Sequence, residues 1–160
     1  MPAILETSSA IANAEAQLSN IEALWEAHDF LDNPRSDADD FQALTPEARE
    51  HLASIVSVRC FDDIGRDDAE ALADAARDSV LSACVRSFWA PIGEALHPAE
   101  FELLLSTGGP ACRIVGDLDD HGTPGRAELQ WQDWGTPWTA LAGQRCDALN
   151  WFAGLFYFGG

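Results

Sequence analysis

The sequence predicts an α+β domain: a helical N-terminal half, then a small antiparallel β-sheet, then a C-terminal apolar helix. Three observations predict it. Apolar residues recur at helical spacing from the start, with Ile11, Leu18, Ile21, Leu24, Trp25 and Leu31 as the first series. Beyond the breaker Gly108-Gly109-Pro110 the texture changes to alternation, with Cys112 and Ile114 in one run and Leu129 and Trp131 in the next. Leu149, Trp151, Phe152, Leu155, Phe156, Tyr157 and Phe158 then crowd the end of the chain. The 160 residues fit one domain, helical over about 1–106, with a β-hairpin and the terminal helix over about 107–160.

Taken in order, Ser8 or Ser9 caps a first helix that runs through Phe30 and ends at Asn33-Pro34. The acid-rich connection Arg35 to Asp40 leads to a second helix from about Pro46 to Val58, with Thr45 as cap and Pro46 in the first turn. A third starts after Gly65 and runs from Asp67 to about Phe88, carrying Leu72, Ala76, Val80, Ala83 and Cys84 on one side. Pro98 opens a short helix, PAEFELLLS, with acids in its first turn. ACRIVGDL and AELQWQDW are two strands paired across the DDHGTPG turn, and WTAL is a third. The last helix, from about Arg145 to Phe158, keeps almost no polar face. Such a helix is buried or used in an interface, and a homodimer through it is one outlet.

Charge is the second theme. Twenty-seven acidic residues stand against nine arginines and no lysine, a formal net charge of −18. A hydrophobic content of 47% with six tryptophans sets the chain apart from disordered acidic sequences. Nineteen acids and six arginines lie before His97, eight and three from there on, so the helical half holds most of the excess. Within it, Asp67, Glu70, Asp74 and Asp78 fall along one stripe of the third helix, and Glu15, Glu22, Glu26 and Asp29 along one stripe of the first. Carboxylates four residues apart are separated by about 6 Å along a helix axis, close to the step between phosphates of a nucleic-acid strand. Two readings follow. The stripes are an acidic face turned to water, diluted on the third helix by Arg77, or they offer phosphate-like charge to a basic protein surface.

No pattern for catalysis is present: no G-x-S-x-G, H-E-x-x-H, G-x-x-x-x-G-K-[ST] or G-x-G-x-x-G. His28, His51, His97 and His121 are scattered, so no enzyme activity, cofactor or metal is expected. Asp117, Asp119, Gly122 and Glu128 match a calcium-loop template in part, but His121 and Pro124 break it, and a hairpin loop explains the same letters. Cys60, Cys84, Cys112 and Cys146 are too widely spaced for a zinc or redox motif and are expected to be reduced and mostly buried. Trp131, Trp134 and Trp138 are assigned to the packing of the sheet. No apolar run approaches the roughly 20 residues of a membrane helix. The start, MPAILETSS, has neither a basic segment nor a signal-peptide core, so a cytoplasmic protein without a membrane partner is expected.

The segments STGGPA, RIVGDL and DWGTPW lie in one stretch of about a quarter of the chain, from Leu103 to Leu141. That stretch resembles a module of small bacteriophage and mobile-element proteins. With the acidity, the chain is similar to small acidic inhibitors of the anti-CRISPR or antirestriction kind. The resemblance implies a protein of the host cytoplasm that presents DNA-mimicking carboxylates to the basic surface of a CRISPR effector or restriction enzyme, with no direct contact to nucleic acid. It brings no catalytic residues. The alternative is a structural or accessory protein whose acidity serves only solubility.

Overall fold

Among the described residues the elements follow in the order α1 (Ala3–Asp32), α2 (Ala38–Ala43), α3 (Pro46–Ile55), α4 (Arg66–Asp78), β1 (Ser82–Ser87), β2 (Pro98–Ser106), β3 (Ala111–Leu118), β4 (Pro124–Gln132), β5 (Thr139–Ala140) and α5 (Cys146–Gly154). The structure is a computed structural model that describes residues 3–33, 37–55 and 66–159, without the side chains of 3–7, 38, 55, 66 and 67. The strands form one antiparallel sheet in sequence order, β1-β2-β3-β4-β5, so the α+β class with helices first and a helix last holds. The chain divides into two compact units: Met1–Leu18 with Val80–Gly160, and Ser19–Ser79.

The sheet unit is built on period two. Along β2, Ala99, Phe101, Leu103 and Leu105 are buried while the residues between them are half-exposed. Register carries this face across the sheet: Leu103 lies opposite Ile114 and Ile114 opposite Leu129. α5 lies against β4 and buries Ala148, Leu149, Phe152 and Ala153. Beyond its end the chain leaves the helix, and Phe158 stacks on Phe101 with centroids 4.7 Å apart. Ala10 and Ala14 of α1 are fully buried, and Asn13 Nδ2 donates to Ser106 Oγ at 2.9 Å. At Gly116, opposite Phe101, a Cβ would stand 2.7 Å from both the Phe101 ring and the Arg126 carbonyl oxygen. Only glycine lets that ring lie flat on the strand.

The two turns that carry the sheet's motifs are held by their own polar groups. In the β3–β4 hairpin, Asp119 Oδ1 accepts from the amides of Thr123 (2.8 Å) and His121 (2.9 Å), and those two bonds hold its carboxyl below the usual carboxylate range. The calcium-loop letters are therefore a hairpin loop between two strands. In the β4–β5 turn, Asp133 accepts from the Trp134 amide at 2.8 Å, Thr136 N donates to the Asp133 carbonyl at 3.0 Å, and Gly135 takes φ 73°. The Trp134 indole lies against Gly109, so the STGGPA and DWGTPW segments meet in space.

The helical unit buries an alanine-rich seam. α4 places Ala69, Leu72, Ala73 and Ala76 inside, and the rest of its core includes Ile21, Leu24, Ala27, Phe30, Ala48 and Leu52. Thr45 caps α3 as expected, its Oγ1 accepting from Ala48 N at 3.3 Å. Phe30 meets Phe41 edge-on at 5.9 Å, and His51 Nε2 lies 3.0 Å from Asn20 Oδ1. Burial pushes the His51 imidazole below its ordinary value, against an opposing influence from Glu50.

Several expectations are corrected. α1 begins at Ala3, ahead of the serines assigned as its cap. The acid-rich connection contains α2, where Asp37 caps the amides of Asp39 and Asp40 and Asp40 reaches back to the Asp37 amide, a reciprocal box. The third helix stops at Asp78: the i, i+3, i+4 spacing of Val80, Ala83 and Cys84 suits a helix, but pairing of β1 with β2 makes Ser82–Ser87 a strand, in which Ala83 and Cys84 take opposite faces. PAEFELLLS is β2, so the sheet begins well before residue 107. Residues 56–58, assigned to the second helix, and Cys60 lie outside the described residues. The final helix is shorter than expected, and Asp147 and Asn150 give it an exposed polar side. Of the cysteines, Cys112 is buried, Cys146 half-buried and Cys84 exposed on β1.

Two outcomes are expected. Gly116→Ala should lower stability to urea by about 2 kcal/mol, the usual cost of overpacking a tight site. Among the described cysteines, Cys84 should react first with a thiol reagent at neutral pH. Cys112, whose thiol burial pushes up to about 12, should react only on denaturation.

Candidate binding surfaces

The helical unit is where acid concentrates. Between Ser19 and Ser79 sixteen acids stand against five arginines, a net charge of −11, while the remaining residues hold eleven against four, a net of −7. The reason is local. Helix faces that do not meet the alanine-rich seam are free to carry charge, and α4 uses this by exposing Glu70, Asp74 and Asp78 opposite Ala69, Leu72, Ala73 and Ala76.

The stripe on α4 is partly neutralised from within. Arg77 pairs with Glu70 at 3.2 Å and also with Asp74, and both carboxylates stay 66% exposed. Surface pairs of this kind contribute little to stability, but they reduce the charge a partner meets. Asp78 is exposed and has no ion pair among the described residues; the side chain of Asp67 is not among those described.

On α1 the four expected residues divide further. Glu15 is exposed and belongs to the sheet unit, while Glu22, Glu26 and Asp29 belong to the helical unit. There the helix is buried at Ile21, Ala23, Leu24, Ala27 and Phe30, which leaves the acids the one narrow polar face. Glu26 serves the fold: its Oε2 accepts from Thr45 Oγ1 at 2.9 Å and from Thr45 N at 3.4 Å, joining α1 to the start of α3. Glu22 is half-buried and Asp29 exposed.

The sheet presents a polar face that the sequence did not single out. Register aligns Arg86, Glu100 and Asp117 in one row and Cys84, Glu102, Val115 and Glu128 in the next, around a shallow concavity of about 430 Å³. Its cations are paired. Arg86 bonds Glu100, whose carboxyl that hydrogen bond draws below its usual range, and Arg113 holds Glu102 and, at 2.9 Å, Gln130. The Arg113 guanidinium also lies 4.1 Å from the Trp138 ring centroid. Trp138 thus works on this face and Trp134 is mostly exposed, which corrects their assignment to core packing, while Trp131 lies half-buried opposite Cys112 on the core face, as assigned. The alternation of Glu100 and Glu102 with Ala99, Phe101 and Leu103 was the signal for this face.

Among the described residues no three histidine, cysteine or acidic side chains converge as a metal site, and no helix is long and apolar enough to cross a membrane. Comparison with protein-family models, with curated proteins and with solved structures finds no match for the chain.

The division among the acids is measurable. Glu26→Ala should cost about 1 kcal/mol of stability, as for loss of a helix cap, whereas Asp78→Ala should stay within about 0.5 kcal/mol of the parent, both read from urea unfolding.

Proposed function

We propose that the protein is a non-catalytic acidic inhibitor that occupies a basic, nucleic-acid-handling surface of a host complex, of the anti-CRISPR or antirestriction kind. One observation carries the reading: the net charge of −11 on the 61 residues of the helical unit, with exposed Asp74 and Asp78 one helical turn apart on α4. A surface of that sign attracts the lysines and arginines that line a nucleic-acid channel, and the attraction weakens with salt as DNA binding does. The protein would act by occupancy, in the host cytoplasm, without binding nucleic acid itself. The side chains best placed to do so are Asp78 and Asp29, with Glu22 on the stripe of Asp29, and Asp74 and Glu70 on that of Asp78 but shared with Arg77; Glu26 is reserved for Thr45.

A second reading has its own observation. Arg77 takes up Glu70 and Asp74, as expected of acids that only keep a helix solvated. The two readings part in one assay. Purified protein is added to DNA cleavage by a panel of CRISPR effector complexes and restriction enzymes, beside the variant Asp74→Lys/Asp78→Lys. Inhibition of a member of the panel, lost by more than about tenfold in the variant and weakened at high salt, is the expected result. No inhibition anywhere, or inhibition equal in the two proteins, would leave solubility as the role of the acids.

A further inference from the structure

The two edges of the sheet are treated differently. At the β4 edge the short β5 pairs with Gln130 and Trp131, and side-chain amides seal the rest: Asn150 Oδ1 accepts from Ala127 N at 2.8 Å, and Gln144 Oε1 from Leu129 N at 2.6 Å. At the other edge, β1 runs for six residues with no strand among the described residues on its outer side. Every second residue of such a strand directs its N–H and C=O outward, a ready template for another strand.

The segment that forms that edge and the connection that follows it also hold most of the large apolar side chains exposed among the described residues. Of the eight large hydrophobic residues exposed among the described residues, six fall between Leu81 and Leu96: Leu81, Val85, Phe88, Trp89, Ile92 and Leu96, with Trp89 and Ile92 fully exposed. With two aromatic side chains of about 150–250 Å² each and four smaller aliphatic ones, they offer several hundred Å², on the order of the roughly 800 Å² that one partner buries in a standard interface. Natural edge strands are usually blunted by lysine, proline or inward charge, and β1 has one arginine, already tied to Glu100 on its own sheet.

Charge selects the occupant. From Val80 to His97 the chain holds one acid, Glu94, and one base, Arg86, a net of zero, so the rest of the molecule carries the whole −18. A contact about a two-fold axis sets like against like. A surface with net charge would repel its own copy, and this segment does not. Nor does it attract a strongly basic or acidic partner. We infer that β1 and the β1–β2 connection form a homodimer interface, in which the β1 strands of two copies pair antiparallel and join their sheets. Antiparallel pairing brings the start of one β1, with Leu81, beside the end of the other, with Phe88 and Trp89, and the contact occurs twice. The contact is separate from the acidic surface of α4 and holds whether or not that surface binds a basic partner.

Sedimentation equilibrium of the full chain tests this. The wild type should reach twice the 17.3 kDa chain mass at concentrations up to about 100 μM. The dimer should tighten between about 0.05 M and 0.5 M salt, because screening relieves repulsion between two acidic bodies. Binding to a basic partner would weaken over the same range. Val85→Lys/Trp89→Lys, at side chains exposed in the single chain, should give the monomer mass with an unchanged far-UV spectrum. Tyr157→Lys, exposed elsewhere, should leave the dimer intact. A wild type that stays monomeric, or a dimer that survives Val85→Lys/Trp89→Lys, would overturn the proposal. If the double variant unfolds, the decision passes to Cys84 of the wild type. A spin label there should report a second label within about 20 Å, given strands about 5 Å apart, and its absence would equally overturn the proposal.

Discussion

The sheet unit depends on one constraint, that a single face of three adjacent strands must leave water. Ala99, Phe101, Leu103 and Leu105, then Cys112 and Ile114, then Ala127 and Leu129 form that face, and each is 8% exposed or less. At about 25 cal/mol per Å² of apolar surface, burial of this set is the main favourable term available to the unit. A register slip by one residue would turn every member outward. Other features follow from holding it. Phe101 needs a flat neighbour, which Gly116 supplies, and needs a cover, which Phe158 supplies after the chain has left α5. Because one face is committed to the core, the other is free to carry Arg86, Glu100, Glu102 and Arg113 as cross-strand pairs.

The same division of labour holds in the helical unit with a different period. Small residues at Ala69, Ala73 and Ala76 allow close helix approach and leave the outer face of α4 unconstrained by packing. Acids can accumulate there at small cost, since like charges four residues apart destabilise a helix by only a few tenths of a kcal/mol. The net charge of the chain is therefore a surface property of one unit more than a trait of the whole.

Much of this was legible in the letters. The α+β order, the Thr45 cap, the hairpin between RIVGDL and AELQWQ and the short strand at Thr139 were all readable, because each is set by local turn chemistry or by clear alternation. What escaped was decided at longer range. Val80, Ala83 and Cys84 keep a helical period, and the partner strand that overrides it lies near residue 103. In PAEFELLLS the alternation was present but was outweighed by a proline and acids that resemble a helix start, and by the uninterrupted Leu103-Leu104-Leu105. The acid stripes were correctly periodic, yet the sequence could not separate Glu26, engaged by Thr45 across nineteen positions, from Asp78, which faces water. Periodicity reports which side of a helix a residue takes; only the fold says what waits there.

The unequal sheet edges have a consequence for how large an assembly can become. A sheet with two receptive margins can add subunits without limit, and the product is a fibre. Here Asn150 and Gln144 spend their amides on the backbone of β4, and β5 is two residues long, so one margin is already satisfied. Growth by edge pairing has a single starting point and consumes it in the first step. A second copy docked on β1 ends the sheet, and the chain is thereby protected from the open-ended stacking that an exposed strand would otherwise invite.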